Sequence, residues 1–183
     1  MKQIIKEDID NIKDLIGRID AAFTSDGDKS SSKGSWDAVL VGGLDYRRGD
    51  YPIDEQVRIL QKGYGTSKRV KGFRYNTSTT EIINFLRKNP NIDVFLFSAG
   101  CDKADALASS GAVDLNKMYI IEPYAASSGT KGRVRGAVSK GVPQSNVYVG
   151  SSSGRGKGVV SGASSSGSSS HWGALTSVGS MNV

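Results

Sequence analysis

The chain has a single histidine, His171, and a single cysteine, Cys101, so proton transfer near neutral pH has one obvious vehicle. Ser98 and a few carboxylates are the residues that could use it. A serine hydroxyl is a poor nucleophile until a base takes its proton, and that base needs a third group to hold its tautomer. Ser98 closes the apolar run Ile92-Asp93-Val94-Phe95-Leu96-Phe97 and is followed by Ala99 and Gly100. Glu122 stands at the end of Lys117-Met118-Tyr119-Ile120-Ile121, just before Pro123. Asp45 follows Gly42-Gly43-Leu44 and is a second candidate acid. The set reads as Ser98 the nucleophile, His171 the general base, and Glu122 or Asp45 orienting it. Backbone N–H groups of Ala99 and of Gly43 or Leu44 would receive the oxyanion. Each residue also has a purely structural reading. A serine at a strand end can cap the next helix, His171 beside Trp172 can anchor a loop end by packing, and Cys101 reads as a small buried hydrophobe.

The elements that would position these groups follow from periodicity. Trp36–Val41, Val70–Tyr75, Ile92–Phe97, Lys117–Pro123 and Asn146–Gly150 read as strands, from continuous or alternating apolar patterns. Helical spacing lies between them: Asp54–Lys62 after Pro52, Ile82–Leu86 after a Thr/Ser cap, Asp102–Ala108, and Thr130–Lys140. Strands alternating with helices predict an α/β domain. It has three layers: a mostly parallel five-stranded sheet with helices on both faces. Sites in such sheets lie at the carboxyl ends of the strands, where Gly43, Asp45, Ser98 and Glu122 all fall. From Ser151 to Ser170, ten of twenty residues are serine and five are glycine. That segment predicts a long, mobile loop with little to bury, after which His171-Trp172-Gly173-Ala174-Leu175 returns to order.

With these residues in place, Phe97-Ser98-Ala99-Gly100, the early Gly42-Gly43 and the late lone His171 resemble a minimal serine hydrolase of the α/β-hydrolase fold, of the small lipase, esterase or cutinase kind. The order of nucleophile, acid and histidine is that of the family, and the resemblance spans roughly Trp36 to Leu175. It implies hydrolysis of an ester or similar acyl bond through an acyl-enzyme on Ser98, with no cofactor. Leu96 replaces the first glycine of the family's Gly-x-Ser-x-Gly, and a side chain there predicts a turn that is relaxed or absent.

Ahead of this domain, Ile5, Ile9, Ile12, Ile16, Ile19 and Phe23 are spaced four, three, four, three and four apart, a heptad seam. Isoleucine at both seam positions favours trimers or tetramers, so residues 1–23 predict an amphipathic, coiled-coil-like helix and a homo-oligomer, with a trimer favoured. The same spacing suits a helix packed on its own domain. Residues 24–35 read as a flexible linker, and the hydrolase-like domain runs from 36 to 183. A structural subunit of a larger assembly, such as a virus particle, is the alternative function. The net charge of +6 comes from scattered basic residues, which favours solubility over nucleic acid. No apolar run suits a membrane span or a signal peptide, so a cytoplasmic or particle-assembled protein is expected. Gly150–Gly158 lacks the spacing of a phosphate loop, no dinucleotide fingerprint follows the first strand, and Arg48-Gly49-Asp50 is a chance-level match. One histidine and one cysteine make no zinc site.

Overall fold

In the computed structural model, which describes residues 35–44, 51–123, 128–150 and 159–181, the apolar runs become strands of one sheet. The strands are β1 (Ala38–Val41), β2 (Val70–Phe73), β3 (Asp93–Phe97), β4 (Met118–Ile121), β5 (Val147–Val149) and β6 (Ser164–Ser165). Their order is β2-β1-β3-β4-β5-β6, and every adjacent pair is parallel. Five helices are described: α1 (Ile53–Tyr64), α2 (Thr79–Lys88), α3 (Ala104–Ser109), α4 (Ser128–Ser139) and α5 (His171–Met181). The expected helix over residues 1–23, with its seam through Ile5, Ile9, Ile12, Ile16 and Ile19, lies outside the described residues. So do linker residues 24–34, Asp45 and residues 151–158. No helix among the described residues is long and apolar enough to cross a membrane.

The sheet has six strands, where five were expected. β6 comes from the serine-rich segment read as a loop: Tyr148 pairs with Ser164 and Val149 with Ser165. Backbone groups make a ladder without help from side chains, so a tract with nothing apolar to bury can still extend a sheet edge. Val159, in the same tract, is fully buried, and its carbonyl accepts a 2.7 Å hydrogen bond from Arg135 Nε.

Strand side chains alternate between two covered faces. Val39, Val41, Val94, Leu96, Met118 and Ile120 pack under α2, α3 and α4 through Ile82, Leu86, Ala104, Leu107, Val134 and Ala137. Ala38, Leu40, Phe95, Phe97 and Ile121 pack under α1 and α5 through Ile59, Leu60, Tyr64, Ala174, Leu175 and Val178. Each buried Leu or Phe side chain contributes roughly 1.5–3 kcal/mol, so β1, β3 and β4, buried on both sides, form the rigid platform. Ser78 caps α2, its side chain accepting from Glu81 N at 3.1 Å.

The pairing of α1 with α5 rests on glycine. A Cβ at Gly63 would strike the Thr176 carbonyl, and one at Gly179 would lie 2.7 Å from Tyr64 N. The two backbones therefore meet directly, and Thr176 Oγ1 donates to Ile59 O at 3.2 Å. The position of His171, the first residue of α5, is thereby fixed relative to α1.

Candidate active site

From β1 the chain crosses to β2 on one side, and from β3 it crosses to β4 on the other. The strand order reverses between β1 and β3, and the crevice at such a reversal, beyond the carboxyl ends of the strands, is where open parallel sheets bind ligands. Val41 pairs with Leu96 and Phe97 with Ile121. Ser98 and Glu122 therefore leave neighbouring strands at the same level, with Gly43 beside them.

Ser98 has φ 53° and Glu122 φ 48°. Left-handed backbone costs a residue with a side chain roughly 1–3 kcal/mol, a strain that concentrates at functional sites. Only one other described non-glycine residue, Asn91, has positive φ, and asparagine tolerates that conformation well. The strain at Ser98 is that of a sharp strand-to-helix turn, where Leu96 led to the expectation of a relaxed or absent one. Leu96 is fully buried within β3, so its side chain lies in the core rather than in the bend. The close approaches fall on glycines elsewhere. A Cβ at Gly100 would strike Val41 O and lie 2.7 Å from Gly42 O, and one at Gly43 would lie 2.8 Å from Ser98 Cβ.

His171 Nδ1 lies 3.6 Å from Glu122 Oε2, with the carboxylate side chain 3% exposed and the imidazole 33%. The Glu122 N–H donates to Tyr148 O at 2.8 Å, and Ser166 Oγ donates to Oε1 at 3.5 Å. Gly150 makes room for the carboxylate: a Cβ there would strike Oε1. The His171 ring lies tilted with its centroid 4.6 Å from that of Phe97, the residue before Ser98, and Trp172 packs 5.1 Å from the same ring. Tyr51 meets Trp172 edge-on at 4.9 Å. The structure thus gathers Ser98, Glu122, Gly43 and the His171 ring around one end of the sheet. Asp45 lies outside the described residues.

Ser98 opens a 3₁₀ turn (Ser98–Lys103) that leads into α3. Ala99 is its second residue, where a backbone N–H precedes the first intrahelical bond. The Gly43 N–H is committed, donating to Gln56 Oε1 at 2.8 Å. Of the two amides expected after β1, Leu44 is the one not bound to Gln56. Cys101 is fully buried beneath the turn, its thiol 3.3 Å from Leu96 O and 3.5 Å from Ile121 O. Burial pushes the thiol well above its ordinary range, so it behaves as the small hydrophobe expected. Among the described residues no cluster of His, Cys, Asp or Glu could hold a metal ion.

No family model matches the chain, and neither a curated protein nor a solved structure is significantly similar to it. Its parallel six-stranded sheet with helices is compatible with an α/β-hydrolase.

Sequence reasoning missed Gln56, Ser166, Gly150 and Phe97 as parts of this site. Gln56 had a signal. It shares a helical stripe with Ile53, Leu60 and Tyr64, and a polar residue on an apolar stripe calls for a buried partner. Gly150 and Ser166 had none, since their roles depend on where β5 and β6 place them.

Proposed function

We propose that the protein is a serine hydrolase of the α/β-hydrolase kind, cleaving an ester or similar acyl bond without a cofactor. Ser98 Oγ attacks the carbonyl carbon as its proton passes to His171 Nε2. Glu122 holds the imidazole through Nδ1 and balances the imidazolium that forms. The charge on the carbonyl oxygen is met by the N–H groups of Ala99 and Leu44. His171 then gives its proton to the leaving alcohol, and water, activated by the same imidazole, releases the acyl group. The 3.6 Å separation of Nδ1 and Oε2 is a loose contact of the sort that tightens when substrate is bound. What carries the reading is the strain at Ser98 and Glu122, on the ends of the neighbouring strands β3 and β4, with the only histidine paired to that carboxylate.

The test is turnover of short p-nitrophenyl esters by the full chain. Ser98→Ala and His171→Ala should each reduce kcat about 10³-fold or more, and Glu122→Gln by about 10²–10⁴-fold. A wild-type protein without turnover, or variants equal to it, would defeat the proposal and leave a hydrolase-like scaffold. Self-association through residues 1–23 is part of the same reading. Sedimentation of the full chain should give a trimer, and a chain starting at Ser35 a monomer. Equal monomer masses would remove it.

A further inference from the structure

We propose that Gln56 is a positioning residue for the oxyanion hole, holding the Gly42–Gly43 peptide beside Ser98 and so setting where the next peptide, between Gly43 and Leu44, starts. The inference rests on the hydrolase reading and adds a residue to it. Gln56 is fully buried on α1. A buried primary amide must have its acceptor and donors used, or it destabilises the fold. Oε1 accepts the Gly43 N–H at 2.8 Å, and Nε2 donates to Tyr51 O at 2.7 Å. Gly43 and Tyr51 stand on either side of residues 45–50, so one side chain closes the neck of the β1-to-α1 connection.

The surroundings admit no looser arrangement. A Cβ at Gly42 would lie 2.5 Å from Gln56 Oε1 and 2.6 Å from Ile53 Cδ1. One at Gly43 would lie 2.8 Å from Ser98 Cβ and 3.2 Å from its Oγ. Gly43 is thus pinned through its N–H by α1 and at its Cα by the nucleophile, and the peptide that follows starts from a fixed point. The N–H of that peptide belongs to Leu44. When the Ser98 Oγ–carbon bond forms, the carbonyl π pair moves onto oxygen, and a donor already fixed in place stabilises that charge without reorganising. Gln56 touches neither substrate nor oxyanion and acts through the peptide it holds. The same amide steadies Tyr51, whose ring meets Trp172 next to His171.

Two substitutions in the full chain test this. Gln56→Leu keeps much of the volume and loses both hydrogen bonds. It should lower kcat on p-nitrophenyl butyrate by about 10–10²-fold, with KM within about threefold, because removing one oxyanion donor costs about 10²–10³-fold. Gln56→Glu distinguishes positioning from packing. A protonated carboxyl offers the same acceptor and donor as the amide, and an ionised one has no donor. Its kcat relative to wild type should therefore rise as pH is lowered from about 8 to about 6. If Gln56→Leu does not fold, the pH profile of Gln56→Glu carries the test. In Gln56→Leu, which loses the acceptor, the Gly43 amide should exchange its hydrogen faster in the native protein. Wild-type kcat in Gln56→Leu, or a flat pH ratio in Gln56→Glu, overturns the positioning role. Unchanged Gly43 exchange in Gln56→Leu overturns the clamp whatever the activity. Absence of turnover in the wild type, with Gly43 still protected, overturns the hydrolase reading and the catalytic role of Gln56 with it.

Discussion

Replacing Gly100 by alanine adds one methyl group at the tightest point of the turn below Ser98. Its Cβ would strike Val41 O and lie 2.7 Å from Gly42 O and 2.8 Å from the Val41 carbonyl carbon. All three are backbone atoms at the end of β1, so no side chain can swing aside. Ordinary contact begins at 3.4 Å, and the strand end and the turn would have to part by roughly 1 Å, an overpacking that costs about 3 kcal/mol. In a unit of this size that lowers Tm by roughly 6–12 °C. Activity should fall as well, because the atoms displaced are those that hold Gly43 against Ser98. Gly132→Ala is the matched control. Gly132 is exposed in α4 and a Cβ there meets nothing within 4 Å, so the same chemical change should stabilise by about 0.5–1 kcal/mol through helix propensity alone. Urea unfolding and ester turnover of both variants decide the matter. A Gly100→Ala protein as stable and active as wild type would refute the packing of the turn against β1.

Other consequences can be measured directly. Gly150→Ala should leave stability nearly unchanged but turn the Glu122 carboxylate away from His171, lowering kcat about 10²-fold; an unchanged kcat would separate Glu122 from catalysis. Cys101 in the native chain should resist iodoacetamide at mildly alkaline pH, because burial keeps it a thiol, and should react at the unfolding rate; rapid labelling would contradict its place beneath the turn. Tyr64 donates to Asp93 Oδ2 at 2.7 Å, and burial followed by that bond raises its pKa far above the ordinary 10.0. The folded chain thus keeps a proton that the unfolded chain releases as pH rises past about 10, so this contribution to stability is whole below that pH and is lost above it. Tyr64→Phe should release roughly one fewer proton on unfolding at about pH 11; an identical proton count would refute the assignment.

The order of strands and helices was legible because β1, β3 and β4 are continuous apolar runs buried on both faces, a pattern that needs no knowledge of neighbours. β6 was not, because Ser164 and Ser165 contribute only backbone to the ladder. The last helix gave a weak signal too. Gly173, Gly179 and several serines dilute its apolar stripe, and those glycines exist to let α5 meet α1 and the Ser168–Ser170 turn closely. At the site, the order of Ser98, Glu122 and His171 could be read from the chain. The hydrogen bond that commits Gly43 to Gln56 could not, since it joins residues thirteen positions apart across a helix–strand contact. Leu96 shows a limit of motif reading: the turn is made by close contacts at Gly43 and Gly100, so a leucine inside the preceding strand does not forbid it.

The glycine contact between α1 and α5 makes one cooperative unit of two things a half-open protein would otherwise lose separately. α1 carries Gln56 and α5 begins with His171. Because Gly63 and Gly179 bring their backbones together, a local opening that lifts one helix lifts the other. Heating short of global unfolding would then displace His171 and release the Gly43 peptide in a single step, and the proposed ester turnover would vanish before the far face of the sheet, under α2 and α4, loses any protection from solvent exchange.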